Sequence, residues 1–202
     1  MMRILAAVLL LCSVMAPPLA AQSVEPGRNT KVWVAGAYSF SDELGGFTIL
    51  AASGTGTRDD PIVIEQELSS ASPVIMVIRA RRTIRPYALA GDYANGMINM
   101  RIKAINGSGL PWLEFEFELQ EVLRQPSVYG DGLSFDQRSV GGKSILSNRF
   151  NRFDDRFEPY DRLIYFDGNV DPLDSAEFSF MITDFTPQPE FYLLLDPRIP
   201  SS

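Results

Sequence analysis

Between positions 113 and 120 apolar and polar side chains alternate without a break. Leu113, Phe115, Phe117 and Leu119 take one parity; Glu114, Glu116, Glu118 and Gln120 take the other. Successive side chains of an extended chain point to opposite faces, so this spacing predicts a strand with one face in a core and its carboxylates in water. A helix of the same sequence would scatter its aromatic rings around its axis and keep no apolar stripe. Positions 176–183 repeat the pattern, with Ala176, Phe178, Phe180 and Ile182 facing inward.

Weaker extended runs fill the intervals at 31–40, 47–52, 62–68, 74–80, 96–105, 163–166 and 191–195. Several are apolar on both faces, as strands covered on both sides are. Turn chemistry separates them: Gly45-Gly46, Asp59-Asp60-Pro61, Asn95-Gly96, Asn106-Gly107 and Asp167-Gly168. About nine short strands at this spacing predict an all-β fold, an antiparallel two-sheet β-sandwich, over residues 31–197. One stretch, 127–161, is rich in Gly, Ser, Asn, Asp and Arg and is expected to be a long irregular loop.

The N-terminus carries its own signal. Arg3 precedes an apolar run from Ile4 to Ala16, and Pro17-Pro18-Leu19-Ala20-Ala21 supplies a small-residue exit. A positive start, an apolar core of about 7–15 residues and such an exit form a cleavable secretory signal. The cut is expected after Ala21, with Ala20 the near alternative, leaving a flexible leader at 22–30 and a tail at 198–202. Periplasmic or secreted localisation follows, with no membrane span once the signal is gone. Cys12 follows Leu9-Leu10-Leu11, whereas a lipid-anchored cysteine follows a small residue.

Cys12 is the single cysteine, and the chain has no histidine. The exported part therefore has no disulfide, no Cys/His zinc site and no histidine-based nucleophile or general base. A non-catalytic protein is the expectation. The net charge of −7 becomes −8 when Arg3 leaves with the signal. Nucleic-acid binding needs a basic footprint, and nucleic acid is not an expected partner.

Five segments are weighed for chemistry. Residues 53–61 (Ser-Gly-Thr-Gly-Thr-Arg-Asp-Asp-Pro) resemble a glycine-rich phosphate loop, but they run into a strand and lack its lysine. Asp167, Asn169, Asp171 and Asp174 offer oxygens at nearly alternate positions, as calcium loops do, and Asp131 or Asp136 could join them. An ordinary turn explains the same residues, so calcium is the one cofactor weighed and none is expected. Acidic pairs for glycoside hydrolysis, among Glu114, Glu116 and Glu118 or at Asp154-Asp155, would need a facing geometry. Arg79, Arg81, Arg82 and Arg85 form a basic cluster that could bind phosphate, or pair across strands with the Glu114/Glu116/Glu118 face. Finally, Phe150, Phe153, Phe157 and Tyr160 recur at helical spacing among Arg149, Arg152 and Arg156. They predict a short amphipathic segment that packs on the sandwich or presents rings to a ligand. Arg152, Phe153, Arg156 and Phe157 are the candidate ligand contacts.

The motifs from Gly54-Thr-Gly-Thr-Arg-Asp-Asp-Pro-Ile through Trp112-Leu-Glu-Phe-Glu-Phe-Glu-Leu to Asp161-Arg-Leu-Ile-Tyr-Phe resemble small exported β-sandwich proteins of Gram-negative bacteria. The resemblance implies a fold and a compartment and brings no activity with it. The expected function is an exported binding or structural module of the cell envelope, its partner an envelope protein or a glycan. The alternative is a calcium- or carbohydrate-binding module of the same fold.

Overall fold

The computed structural model describes residues 31–128, 130–135, 144–155 and 159–199. The expected export segment, the expected cut at Ala21 and the expected leader, together with Asp136, Arg156 and Phe157, lie outside the described residues. Every regular element among those described is a strand. In chain order they are β1 (Trp33–Ala35), β2 (Tyr38–Ser41), β3 (Phe47–Ser53), β4 (Ile62–Leu68) and β5 (Val74–Ala80). Then come β6 (Met97–Asn106), β7 (Glu114–Gln120), β8 (Leu133–Phe135), β9 (Leu146–Ser147) and β10 (Phe150–Asp154). The last three are β11 (Arg162–Gly168), β12 (Ser175–Asp184) and β13 (Glu190–Arg198).

They form two sheets. One has seven strands in the order β1-β2-β5-β13-β7-β11-β10; the other runs β3-β4-β6-β12-β8, with β9 also on β12. All pairings are antiparallel except β4 with β6. The arrangement is all-β and consistent with a β-sandwich. The two strictly alternating segments become β7 at the heart of one sheet and β12 in the other, and their rings meet between the sheets. Phe115 and Phe117 of β7 lie 4.6 and 5.2 Å from Phe178 of β12, centroid to centroid, and Phe117 lies 4.9 Å from Phe180. Tyr165 of β11 adds an edge contact to Phe178 at 4.9 Å. Such ring pairs each contribute about 0.5–1.5 kcal/mol beyond the area they bury.

Three expectations are corrected. The described residues hold thirteen strands instead of about nine: β8, β9 and β10 lie in the stretch at 127–161, which is not one irregular loop, and the run at 31–40 divides into β1 and β2. The spacing of Phe150 and Phe153 is not helical, since both belong to β10. Phe153 is half-buried against the core and Phe150 is buried, stacked 5.9 Å from Phe178. Five residues hold only two alternations, and rings three positions apart match a helical turn, so β10 carries no period that marks it as a strand.

The third correction concerns the glutamates. Glu116 and Glu118 were expected in water and are 3% and 4% exposed, whereas Leu113, expected inside, precedes β7 and is 41% exposed. β7 lies between β13 and β11, and long side chains from both neighbours fold over its outer face.

Candidate functional site

The outer face of the seven-stranded sheet is built from the polar parity of β7. Ladder register sets Leu194 and Arg162 beside Glu118, Asp196 and Ile164 beside Glu116, and Tyr192 beside Gln120. Arg162 donates to Glu118 Oε2 at 2.6 Å and reaches Glu116 Oε1 at 3.4 Å. Arg198 pairs with Glu116 from the opposite neighbour and approaches Glu114 at 3.7 Å. Gln120, 2% exposed, donates to Glu118 Oε1 at 2.8 Å and accepts the backbone N–H of Arg124 at 2.8 Å. Three neighbouring polar side chains on the outside of a sheet are thus more than nine-tenths buried, and each is satisfied.

They floor a groove of about 370 Å³ whose walls include the aliphatic surfaces of Pro73, Ile75, Pro126 and Leu194. Burial holds the Glu116 carboxyl above the usual carboxylate range, against the pull of Arg198 and Arg162. Burial raises Asp196 too, and its one contact with a guanidinium is 3.7 Å, to Arg198 Nε. Arg124 stands at the end of the groove with a backbone φ of 64°, a left-handed conformation uncommon outside glycine. Its guanidinium is exposed and forms no ion pair among the described residues. The groove therefore presents fixed acceptors and donors, with Asp196 and Arg124 the least engaged.

The basic cluster does not meet the β7 glutamates, because β13 separates β5 from β7. Arg79 instead pairs with Glu43 at 2.7 Å and Glu190 at 2.5 Å, and its guanidinium, helped by the Ser41 hydroxyl, holds Glu43 below the usual carboxylate range. Arg82 reaches Asp92 at 3.5 Å, Arg85 lies over the Tyr93 ring, and Arg81 is exposed. Arg152 is on the outer face at the sheet edge, its guanidinium 5.0 Å from the Phe166 ring, on the same side as the groove. Phe153 points the other way, into the core. Tyr160 holds Arg162 against its ring at 5.2 Å.

Residues 53–61 connect β3 to β4. The backbone N–H groups of Thr55 and Gly56 both donate to Asp60 O, at 3.1 and 2.9 Å. A side chain at Gly54, φ +90°, would put its Cβ 1.9 Å from Pro61 O. These glycines close a tight turn, and the Thr55 and Gly56 amides are bonded within it.

Asp167, Asn169, Asp171 and Asp174 span the β11–β12 connection. Val170 between them is buried and exchanges backbone hydrogen bonds with Trp112 at 2.9 and 3.0 Å. Asn169 donates to Asp171 Oδ1 at 3.1 Å, and Arg149 pairs with Asp174 at 3.0 Å. Asp131 is far from this turn. It adjoins β8 at the other end of β12, on the order of 30 Å along the strand. Among the described residues no group of three or more metal-ligating side chains is positioned around a common point.

Asp131 belongs instead to an acidic end with Asp161, Asp184 and Glu121. Asp161 accepts from the Ser134 hydroxyl through Oδ1, while its Oδ2 is buried without a partner. Burial pushes this carboxyl up to about 6, with Asp131 adding repulsion and the Ser134 bond opposing. Asp184 and Glu121 are raised by burial as well, and both feel Asp131.

The groove residues Gln120, Arg124, Arg162, Asp196 and Arg198 were not singled out from sequence. Their signal was present only as parity: each strand member among them is in phase with the glutamates once sheet order is known. A scan of the sequence against protein-family models found no match, and searches of curated proteins and solved structures returned no significant similarity.

Proposed function

We propose that the chain is an exported, non-catalytic binding module of the cell envelope. It is cut after Ala21, folds as a two-sheet, mainly antiparallel β-sandwich, and engages its partner through the outer face of the seven-stranded sheet. One observation carries this reading: Glu116, Glu118 and Gln120 are buried together in an open groove on an outer face. Burying charges there costs desolvation free energy that apolar residues of similar volume would avoid. A preorganised polar surface offsets that cost where it meets a ligand. Arg152 on the same face joins this surface to the segment that sequence alone favoured for binding.

The test uses the exported chain recovered from a periplasmic fraction. Its mass should correspond to a start at Gln22 or Ala21. Arg124→Glu and Arg152→Glu change exposed guanidiniums without opening the core, so both variants should keep the wild-type melting temperature. Loss of cross-linked periplasmic partners from Arg124→Glu supports the reading. Partners kept by both variants and lost only on changes to the six-stranded sheet would overturn it.

A further inference from the structure

Taking the groove to be the binding surface, we propose that its ligand is a neutral, polyhydroxylated chain, a short stretch of glycan lying along β7. The first argument is charge balance. Glu116, Glu118 and Asp196 face Arg124, Arg162 and Arg198, three anions against three cations within one groove. A phosphate or a polycation entering it meets as many groups of the wrong sign as of the right one, and like-charge contacts across an interface are costly.

The second argument is valence. A hydroxyl group both donates and accepts, and neighbouring hydroxyls on a ring match a planar carboxylate or a guanidinium fork. The groove sets these two kinds of fork beside each other and fixes them through their mutual pairs, Arg162 with Glu118 at 2.6 Å and Gln120 with Glu118 at 2.8 Å. Capacity is left over where a ligand can use it. Among the described residues, Asp196 is held only at 3.7 Å, Arg198 Nη1 stands 3.7 Å from Glu114, and the Arg124 guanidinium has no ion pair.

The third argument is shape. Glu116 and Gln120 lie four residues apart on one strand, about 13 Å, and beyond Gln120 the chain turns so that the Arg124 N–H meets the Gln120 amide oxygen. That length exceeds a single sugar ring and suits a linear chain. Leu194, Ile75, Pro73 and Pro126 provide the aliphatic contact that the C–H faces of sugar rings take. A peptide strand finds no free backbone hydrogen bonds here, since β7 is paired on both sides. With no aromatic ring in the lining, affinity near Kd of about 1 mM is expected, a free energy of roughly −4 kcal/mol.

The experiment is a titration of the isotopically labelled exported chain, followed by amide and side-chain NMR. Three probes are used: neutral tetrasaccharides of glucose and N-acetylglucosamine, a tetragalacturonate, and a lysine-rich peptide. A neutral tetrasaccharide should shift Gln120, Arg124, Asp196 and their neighbours and saturate at about 10 mM. Asp196→Asn and Arg124→Ala should each weaken it about fivefold or more while leaving the remaining spectrum unchanged. Preferential binding of the galacturonate or the peptide in the groove overturns the glycan inference and leaves the binding surface standing. No shift from any probe also overturns the glycan inference. The surface itself then stands or falls on whether Arg124→Glu loses its cross-linked partners.

Discussion

The two outer faces of this molecule use the same contact in different surroundings. On the six-stranded sheet, Lys103 of β6 meets Glu65 of β4 at 2.7 Å, with side chains 37% and 35% exposed. On the seven-stranded sheet, Arg162 meets Glu118 at 2.6 Å, but Glu118 is almost wholly buried. Distance does not separate the pairs; water does. An exposed ion pair exchanges strong hydration for a screened attraction and contributes about 0–1 kcal/mol. A buried carboxylate depends on its partner, because losing that partner leaves a charge without solvent or counter-charge. The difference arises from sheet order: β7 has an arginine from each side strand to close over it, and β6 has one lysine.

The largest test removes Arg162. Arg162→Ala should cost about 3 kcal/mol, toward the lower limit for breaking a buried pair because the guanidinium is itself partly exposed. Lys103→Ala should cost less than about 1 kcal/mol. Chemical denaturation of both variants checks this. Similar losses from the two would mean that burial on the seven-stranded face has no energetic consequence.

A second test concerns a polar group buried without help. Gln66 of β4 points into the core between Ile49 and Ala104, fully buried, and neither atom of its amide has a hydrogen-bond partner. Gln120 is as deeply buried and satisfied at both ends. Gln66→Met keeps the shape and removes the unsatisfied amide, so it should stabilise the protein by about 1–2 kcal/mol. Gln120→Met should destabilise it by about 1 kcal/mol, since Glu118 and the Arg124 N–H each lose a partner. Opposite signs at two equally buried glutamines would isolate pairing from burial.

This contrast explains what the sequence could reveal. Period two located β7 and β12 and assigned Phe115, Phe117, Phe178 and Phe180 to the interior, because alternation is a property of one strand alone. Whether the other parity meets water depends on the neighbouring strands, and sequence does not give strand order. Glu116 and Glu118 were misassigned for that reason. Arg198 was hidden differently: the extended run is expected to end at 195 and a tail to begin at 198, yet β13 continues through Pro197, opposite Phe115, and brings Arg198 to the groove. β8, β9 and β10, of three, two and five residues, are too short to show a period. Arg152 was singled out from composition and does lie on the groove side, but Phe153 of the same motif is a core residue.

The acidic end offers a smaller, pH-dependent version of the comparison, since no arginine among the described residues closes over it. The Asp161 carboxyl is pushed up to about 6 from 3.8, so between those values the folded state holds more protons than the unfolded chain. Stability therefore falls as pH rises through this window and returns as pH is lowered. Asp184, Glu116 and Asp196 are raised and act in the same direction. Glu43, lowered by Arg79, acts in the opposite sense: its contribution is full above the ordinary glutamate range and is lost below it. After allowance for solvent screening, Asp161 should contribute about 1 kcal/mol of destabilisation at pH 7 relative to pH 5. Denaturation midpoints at the two values, for wild type and Asp161→Asn, measure it; the variant should flatten the difference. An unchanged pH dependence in Asp161→Asn would assign the effect to the other carboxylates.

The smallest expected effect is at the β11–β12 turn, where carboxylates are neither buried nor crowded. Asp171 is exposed and touches Asn169, and Asp174 is held by Arg149 at 3.0 Å. A calcium ion seated here would have to displace that guanidinium and gather further oxygens from a turn whose Val170 is pinned in the core by Trp112. Calcium takes 6–8 oxygen ligands, and binding to the folded state alone raises the melting temperature by mass action. With about 5 mM calcium the melting temperature should stay where chelator sets it, and Asp171→Ala should change stability by less than about 0.5 kcal/mol. A calcium-dependent rise abolished by Asp171→Ala would break the comparison, because an exposed acidic turn would then be a stronger ion site than the buried groove. A rise that survives Asp171→Ala would move attention to the acidic end, where Asp161 Oδ2 has no partner.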